Sequence, residues 1–108
     1  MLYPMNNSVF AIEPFAEGIV REILFPPAKV RALGFSYNDI ITTKILLEGR
    51  TEAFVYPTKL ELELGQRVRI YRSEQDFVVK LAGIEILSKD GKIIPGKQFN
   101  IYGYEFKD

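Results

Sequence analysis

Arg67, Arg69 and Tyr71 follow one another at a spacing of two. In an extended chain that spacing puts all three side chains on one face. Guanidinium groups for phosphates beside a phenol ring for bases is the equipment of a single-stranded nucleic-acid binder. Arg72 and Lys80 lie close by in sequence and would add charge. The competing reading is a solvated strand face neutralised by Glu61 and Glu63. A net charge of zero favours that reading, because it offers no general attraction for a polyanion.

Tyr102, Tyr104 and Phe106 repeat the same spacing near the C-terminus, and Tyr37, Phe54 and Tyr56 add further aromatic rings. Exposed, such a ladder would serve a partner. Buried, it would supply the bulk that a chain without tryptophan needs in its core. The expectation is that most phenylalanines are core and at least one tyrosine cluster is exposed.

The run from Gly91 to Gln98, GKIIPGKQ, approaches a phosphate-binding loop. The true motif ends in lysine and a hydroxyl residue and opens a helix. Here Gln98 replaces the hydroxyl, and Phe99-Asn100-Ile101-Tyr102 reads as strand, so no helix N-terminus would face a phosphate.

Catalytic equipment is sparse. There is no cysteine and no histidine, which removes disulfides, thiolate nucleophiles, histidine bases and most zinc or haem sites. Ser8, Ser36, Ser73 and Ser88 therefore have no imidazole to activate them. Four aspartates and ten glutamates are present, yet no spacing singles out an acid and base pair. Glu85 stands among Ile84, Ile86 and Leu87, but alternation points it away from the face that buries the isoleucines. No calcium-loop pattern occurs. The expectation is of no enzyme, metal or cofactor, with a carboxylate hydrolase as the remote alternative.

Turn signals recur about every ten residues, the spacing of an all-β domain. They fall at Pro26-Pro27, Ser36 to Asp39, Glu48-Gly49, Pro57, Gly65, Arg72 to Glu74, Asp90-Gly91 and Pro95-Gly96. Between them, Ile, Val, Thr, Tyr and Phe dominate, as strands prefer. Residues 40–47 and 51–56 read as a hairpin around Glu48-Gly49. Residues 60–70 alternate cleanly, with Leu60, Leu62, Leu64, Val68 and Ile70 on one face. A three-residue turn at Gly65 to Arg67 would set Leu64 against Val68, Leu62 against Ile70 and Glu63 beside Arg69. Residues 76–87 change phase at Ala82-Gly83, where a bulge would exchange the faces. Asp90-Gly91 reads as a two-residue hairpin turn. Gly34, Gly83 and Gly103 would let strands bend.

Residues 14–25 are ambiguous. Phe15, Ile19, Val20, Ile23 and Leu24 fit a helical stripe bounded by Pro14 and Pro26. Gly18 and the β-branched residues favour a strand instead. Thr58 with Glu61 has the capping-box pattern, so a single helical turn is the alternative there.

Leu62-Glu63-Leu64-Gly65-Gln66-Arg67-Val68-Arg69-Ile70 resembles the L-x-x-G-x-x-V-x-V turn of small barrels of the OB and SH3-like kinds. The resemblance covers under a tenth of the chain. It implies a barrel and says nothing of a ligand.

The sequence thus predicts a mostly β protein: a small, strongly bent antiparallel β-barrel, OB- or SH3-like, of about six strands with at most one short helix. Residues 1–8 read as a loose arm and 9–108 as a single domain. No signal-peptide pattern or apolar span is visible, so a cytoplasmic location is expected. The function expected is a non-catalytic interaction or assembly module that binds another protein or itself. The alternative is an OB-like binder of single-stranded nucleic acid. The candidate binding residues are Arg67, Arg69, Tyr71, Tyr102 and Tyr104.

Overall fold

Gly18 and the β-branched residues around it prevail over the helical stripe: Pro14–Leu24 is a strand, β1. Both of its edges find partners, which a helix in the same place would not use. The computed structural model describes residues 13–32, 34–73, 80–100 and 104–107. After β1 they form β2 (Pro27–Ala32), β3 (Asn38–Ile41), β4 (Thr43–Leu47), β5 (Ala53–Tyr56), β6 (Arg67–Ser73), β7 (Lys80–Leu87), β8 (Ile93–Asn100) and β9 (Tyr104–Phe106). No helix occurs among the described residues, so none there is long and apolar enough to cross a membrane.

The strands make a six-stranded sheet, in the order β5-β4-β1-β6-β7-β8, and a three-stranded sheet, β3-β2-β9. One long hairpin joins them. β1 and β4 pair antiparallel in the larger sheet, and their continuations β2 and β3 pair in the smaller. The hairpin bends where Pro26 interrupts one arm and Thr42 the other. Proline cannot donate to a ladder, and the Pro26 carbonyl instead accepts both the Thr42 amide at 3.0 Å and its hydroxyl at 2.7 Å.

The hairpin expected around Glu48-Gly49 is present as β4 and β5, with Thr43 opposite Tyr56 and Ile45 opposite Phe54. Thr42 divides the segment, however, and Ile40 and Ile41 belong to the other sheet. The bulge expected at Ala82-Gly83 is also present: Tyr71 pairs with Gly83 and Arg72 with Leu81, leaving Ala82 unopposed. Phe77 and Val79, which carried the first half of that phase argument, lie outside the described residues.

Several local expectations are corrected. Residues 60–66 do not pair with β6, because β1 and β7 already occupy its two edges. The segment is held by Thr43, whose hydroxyl donates to the Thr58 carbonyl at 2.8 Å and accepts the Leu60 amide at 2.7 Å. Leu60 is buried, while Leu64 is 66% exposed. No helical turn forms at Thr58. The β7–β8 turn takes three residues, Lys89 to Gly91, between Ser88 and Lys92, which are hydrogen-bonded at 2.9 Å. Gly91 closes it at φ 83°, in the left-handed region that suits glycine. Pro95-Gly96 does not end a strand; it forms extra residues within β8, where the register shifts between Leu87 opposite Ile93 and Glu85 opposite Gln98.

The core fills one face of the larger sheet. Ala16, Val20, Ile45, Leu47, Phe54, Val68, Ile70, Ile84 and Ile86 come from alternating positions, and Tyr56 and Leu60 complete it. Each fully buried isoleucine contributes roughly 1.5–3 kcal/mol. The sheet curls so that its two end strands meet through side chains: Tyr56 of β5 packs edge-on against Phe99 of β8, ring centres 6.2 Å apart. Among the described residues no backbone ladder joins β5 to β8.

Candidate functional site

With Val68 and Ile70 turned into the core, period two sends Arg67, Arg69 and Tyr71 to the other face of β6. Cross-strand register then builds a polar rung. Glu17 of β1 lies opposite Arg69, Arg69 opposite Glu85 of β7, and Glu85 opposite Gln98 of β8. Arg69 Nε donates to Glu17 Oε1 at 2.9 Å, and its Nη1 reaches Glu85 Oε1 at 3.4 Å. Arg67 Nη1 donates to Glu17 Oε2 at 3.2 Å. The Tyr71 hydroxyl donates to Glu85 Oε1 at 2.9 Å. Arg67 Nε and Glu85 Oε2 are buried with no hydrogen-bond partner among the described residues.

Burial opposes the charge on Arg69. The hydrogen bonds to Glu17 and Tyr71 and the charge of Glu17 outweigh it, and its pKa is raised above the ordinary arginine value. The guanidinium is therefore permanently charged, and that charge is spent within the sheet.

Arg67, Arg69 and Tyr71 are thus brought together as expected, but in a different state. Tyr71 is 0% exposed, so its ring cannot stack on a base. The arginines are paired with Glu17 and, for Arg69, also with Glu85, not with Glu61 and Glu63. Glu85 lies on the non-core face, as alternation requires, yet is 0% exposed. It is covered on that face together with Tyr71 and Leu87, both buried. Arg72 and Lys80 are placed by their backbones alone, on β6 and β7.

Tyr104 lies elsewhere, on β9 opposite Ala32, and is 39% exposed. Tyr102 lies outside the described residues. Burial first, then the charge of Tyr104, pushes the Tyr56 phenol above its ordinary pKa, against a hydrogen bond with Thr58. On β2 and β3 the polar side chains are paired: Lys29 with Asp39 at 2.9 Å, and Arg31 with Glu105 of β9 at 2.6 Å. The Tyr37 ring lies against two cations, 4.7 Å from Arg31 and 5.8 Å from Lys107.

The glycines of the GKIIPGKQ run both take positive φ, one in the β7–β8 turn and one inside β8. No helix follows them among the described residues, so the phosphate-loop geometry is not formed there. Among the described residues no group of three or more Asp or Glu side chains could hold a metal ion.

A feature not singled out in the sequence is a set of exposed apolar side chains around the hairpin bend. Leu24, Phe25 and Ile41 are each more than two-fifths exposed. Backbone bonds bring their two stretches of chain side by side, since Ile41 pairs with Pro27 and Thr42 with Pro26. Lys59 Nζ lies 5.2 Å from the Phe25 ring. The signal was the run Ile23-Leu24-Phe25 continuing up to a double proline. Phe35, at the far end of the hairpin, is 70% exposed.

Compared with known proteins, the chain matches no family model, and no curated protein or solved structure is significantly similar to it.

Proposed function

We propose that this protein is a non-catalytic interaction module that binds another protein or itself. The observation that carries the reading is the exposure of three large apolar side chains around the bend, Leu24, Phe25 and Ile41. Large apolar side chains exposed on neighbouring stretches of one bend favour an interaction site there. The curled larger sheet, its ends brought together by Tyr56 and Phe99, supports the reading of a small barrel-like scaffold. The lack of cysteine suits a reducing, cytoplasmic setting.

The test is site-specific photocrosslinking in cells with benzoylphenylalanine at Phe25 or Ile41. A discrete crosslinked species is expected, and it is to disappear when Leu24→Ser is introduced into a chain that still melts cooperatively. Absence of crosslinks at both positions overturns the proposal.

A further inference from the structure

The outward face of β5-β4-β1 forms a small two-row lattice. Ile23, Ile45 and Phe54 point into the core, so the rungs on either side of them point out. One outward rung is Leu24, Lys44 and Val55; the next is Glu22, Leu46 and Ala53. None of these side chains is fully buried, and Leu24 is 41% exposed. Within these two rungs the side chains are apolar except for one cation and one anion on a diagonal. Lys44 has no ion-pair partner among the described residues, and Glu22 has only a loose contact, at 3.7 Å, with its neighbour Arg21.

We propose that this face binds a second copy of the same chain across a two-fold axis. The inference rests on the interaction reading above and names the partner. Its basis is that the pattern is complementary to itself. A two-fold axis lying along the Leu24–Leu46 diagonal sets Leu24 against its own copy and Leu46 against its own copy. The same operation carries Lys44 over Glu22 of the second copy, and Glu22 over its Lys44. Both charges that are unpaired or loosely paired in one chain are thereby matched, and both leucines are covered. An isologous contact requires this kind of self-matching patch. The sheets would cross in the manner of orthogonal sheet packing. Edge-to-edge association through β8 is disfavoured by Pro95 and the bulge at Gly96.

Sedimentation equilibrium of the full chain over a wide concentration range tests this, together with Glu22→Lys, Lys44→Glu and the double reversal. Cooperative thermal melting verifies that each variant is folded. A dimer is expected, weakened about tenfold or more by either single reversal, because each sets like charges against one another, and restored by the double reversal. A chain that stays monomeric at every concentration overturns the inference, as does a dimer indifferent to the reversals. If the chain is monomeric while crosslinks from Phe25 to a different protein persist, only the second-copy inference falls. If both are absent, the interaction reading falls with it.

Discussion

The Tyr71 hydroxyl donates to Glu85 Oε1 at 2.9 Å, and both side chains are fully buried. The pair joins β6 to β7 on the face of the sheet opposite the main core. A buried carboxylate depends strongly on each donor it has, since no water replaces a lost one. Tyr71→Phe should therefore lower unfolding stability by about 1–3 kcal/mol, read from urea denaturation. With Glu85→Leu in the same chain the phenol has no carboxylate to serve. The combined loss should fall short of the sum of the single losses by roughly 0.5–3 kcal/mol.

Thr43 offers a second test, because its hydroxyl acts as both acceptor and donor for the segment after β5. Thr43→Val keeps the shape but leaves the Leu60 amide and the Thr58 carbonyl without their partner. The expected cost is about 1–3 kcal/mol, with loss of amide-exchange protection at Leu60. Thr42→Val is the control. The Pro26 carbonyl keeps the Thr42 amide at 3.0 Å when the hydroxyl is gone, so this cost should stay below about 1 kcal/mol. Equal effects from the two variants would contradict the roles given to these threonines.

Much of this architecture is legible in local sequence, and the remainder is not for a definable reason. The strand character of β4, β5 and β7 follows from alternation and β-branched residues. The turn at Glu48-Gly49 and the bulge at Ala82 follow from local backbone chemistry. Alternation in residues 60–66 is equally clean, yet no strand forms there, because an edge to pair with is a tertiary matter. The partner of Arg69 is similarly hidden: Glu17 lies 52 residues away in sequence, and nearer glutamates were equally eligible. The exposure of Leu24 and Phe25 depends on the hairpin leaving one sheet for another, which the double proline signals only as a break.

The β7–β8 turn makes a prediction about pH. The Asp90 carboxyl is held below its ordinary pKa, chiefly by the Ser88 hydroxyl and then by its own backbone amide, against an opposing effect of burial, with Lys92 adding less than any of these. A carboxylate with a folded pKa below its unfolded value contributes stability above the unfolded value, and the contribution is lost as pH falls through the folded one. Ser88→Ala should move the Asp90 pKa up toward the ordinary carboxylate range, and Lys92→Ala should move it less. Carboxyl chemical shifts followed through an acid titration measure both. An Asp90 pKa unchanged in Ser88→Ala would show that the hydroxyl is not the cause.

Nucleic-acid binding through β6 can be tested by the residue that opposes it. Glu17 accepts from both Arg67 and Arg69, and Glu85 lies against Arg69, so two cations that would bind phosphate are paired within the sheet. The unmodified chain should show no salt-sensitive affinity for labelled single-stranded DNA or RNA. Glu17→Ala should expose charge on that face and create weak binding at low salt. The slope of log affinity against log salt should then be about −0.7 for each arginine engaged. Arg67→Ala with Arg69→Ala should leave affinity unchanged, since there is none to lose. Instead it should reduce stability by about 3 kcal/mol, because Glu85 is fully buried and Arg69 is the cation beside it. The opposite pattern would reinstate Arg67 and Arg69 as an interface: salt-sensitive binding by the unmodified chain, abolished in the double variant while its melting transition is preserved.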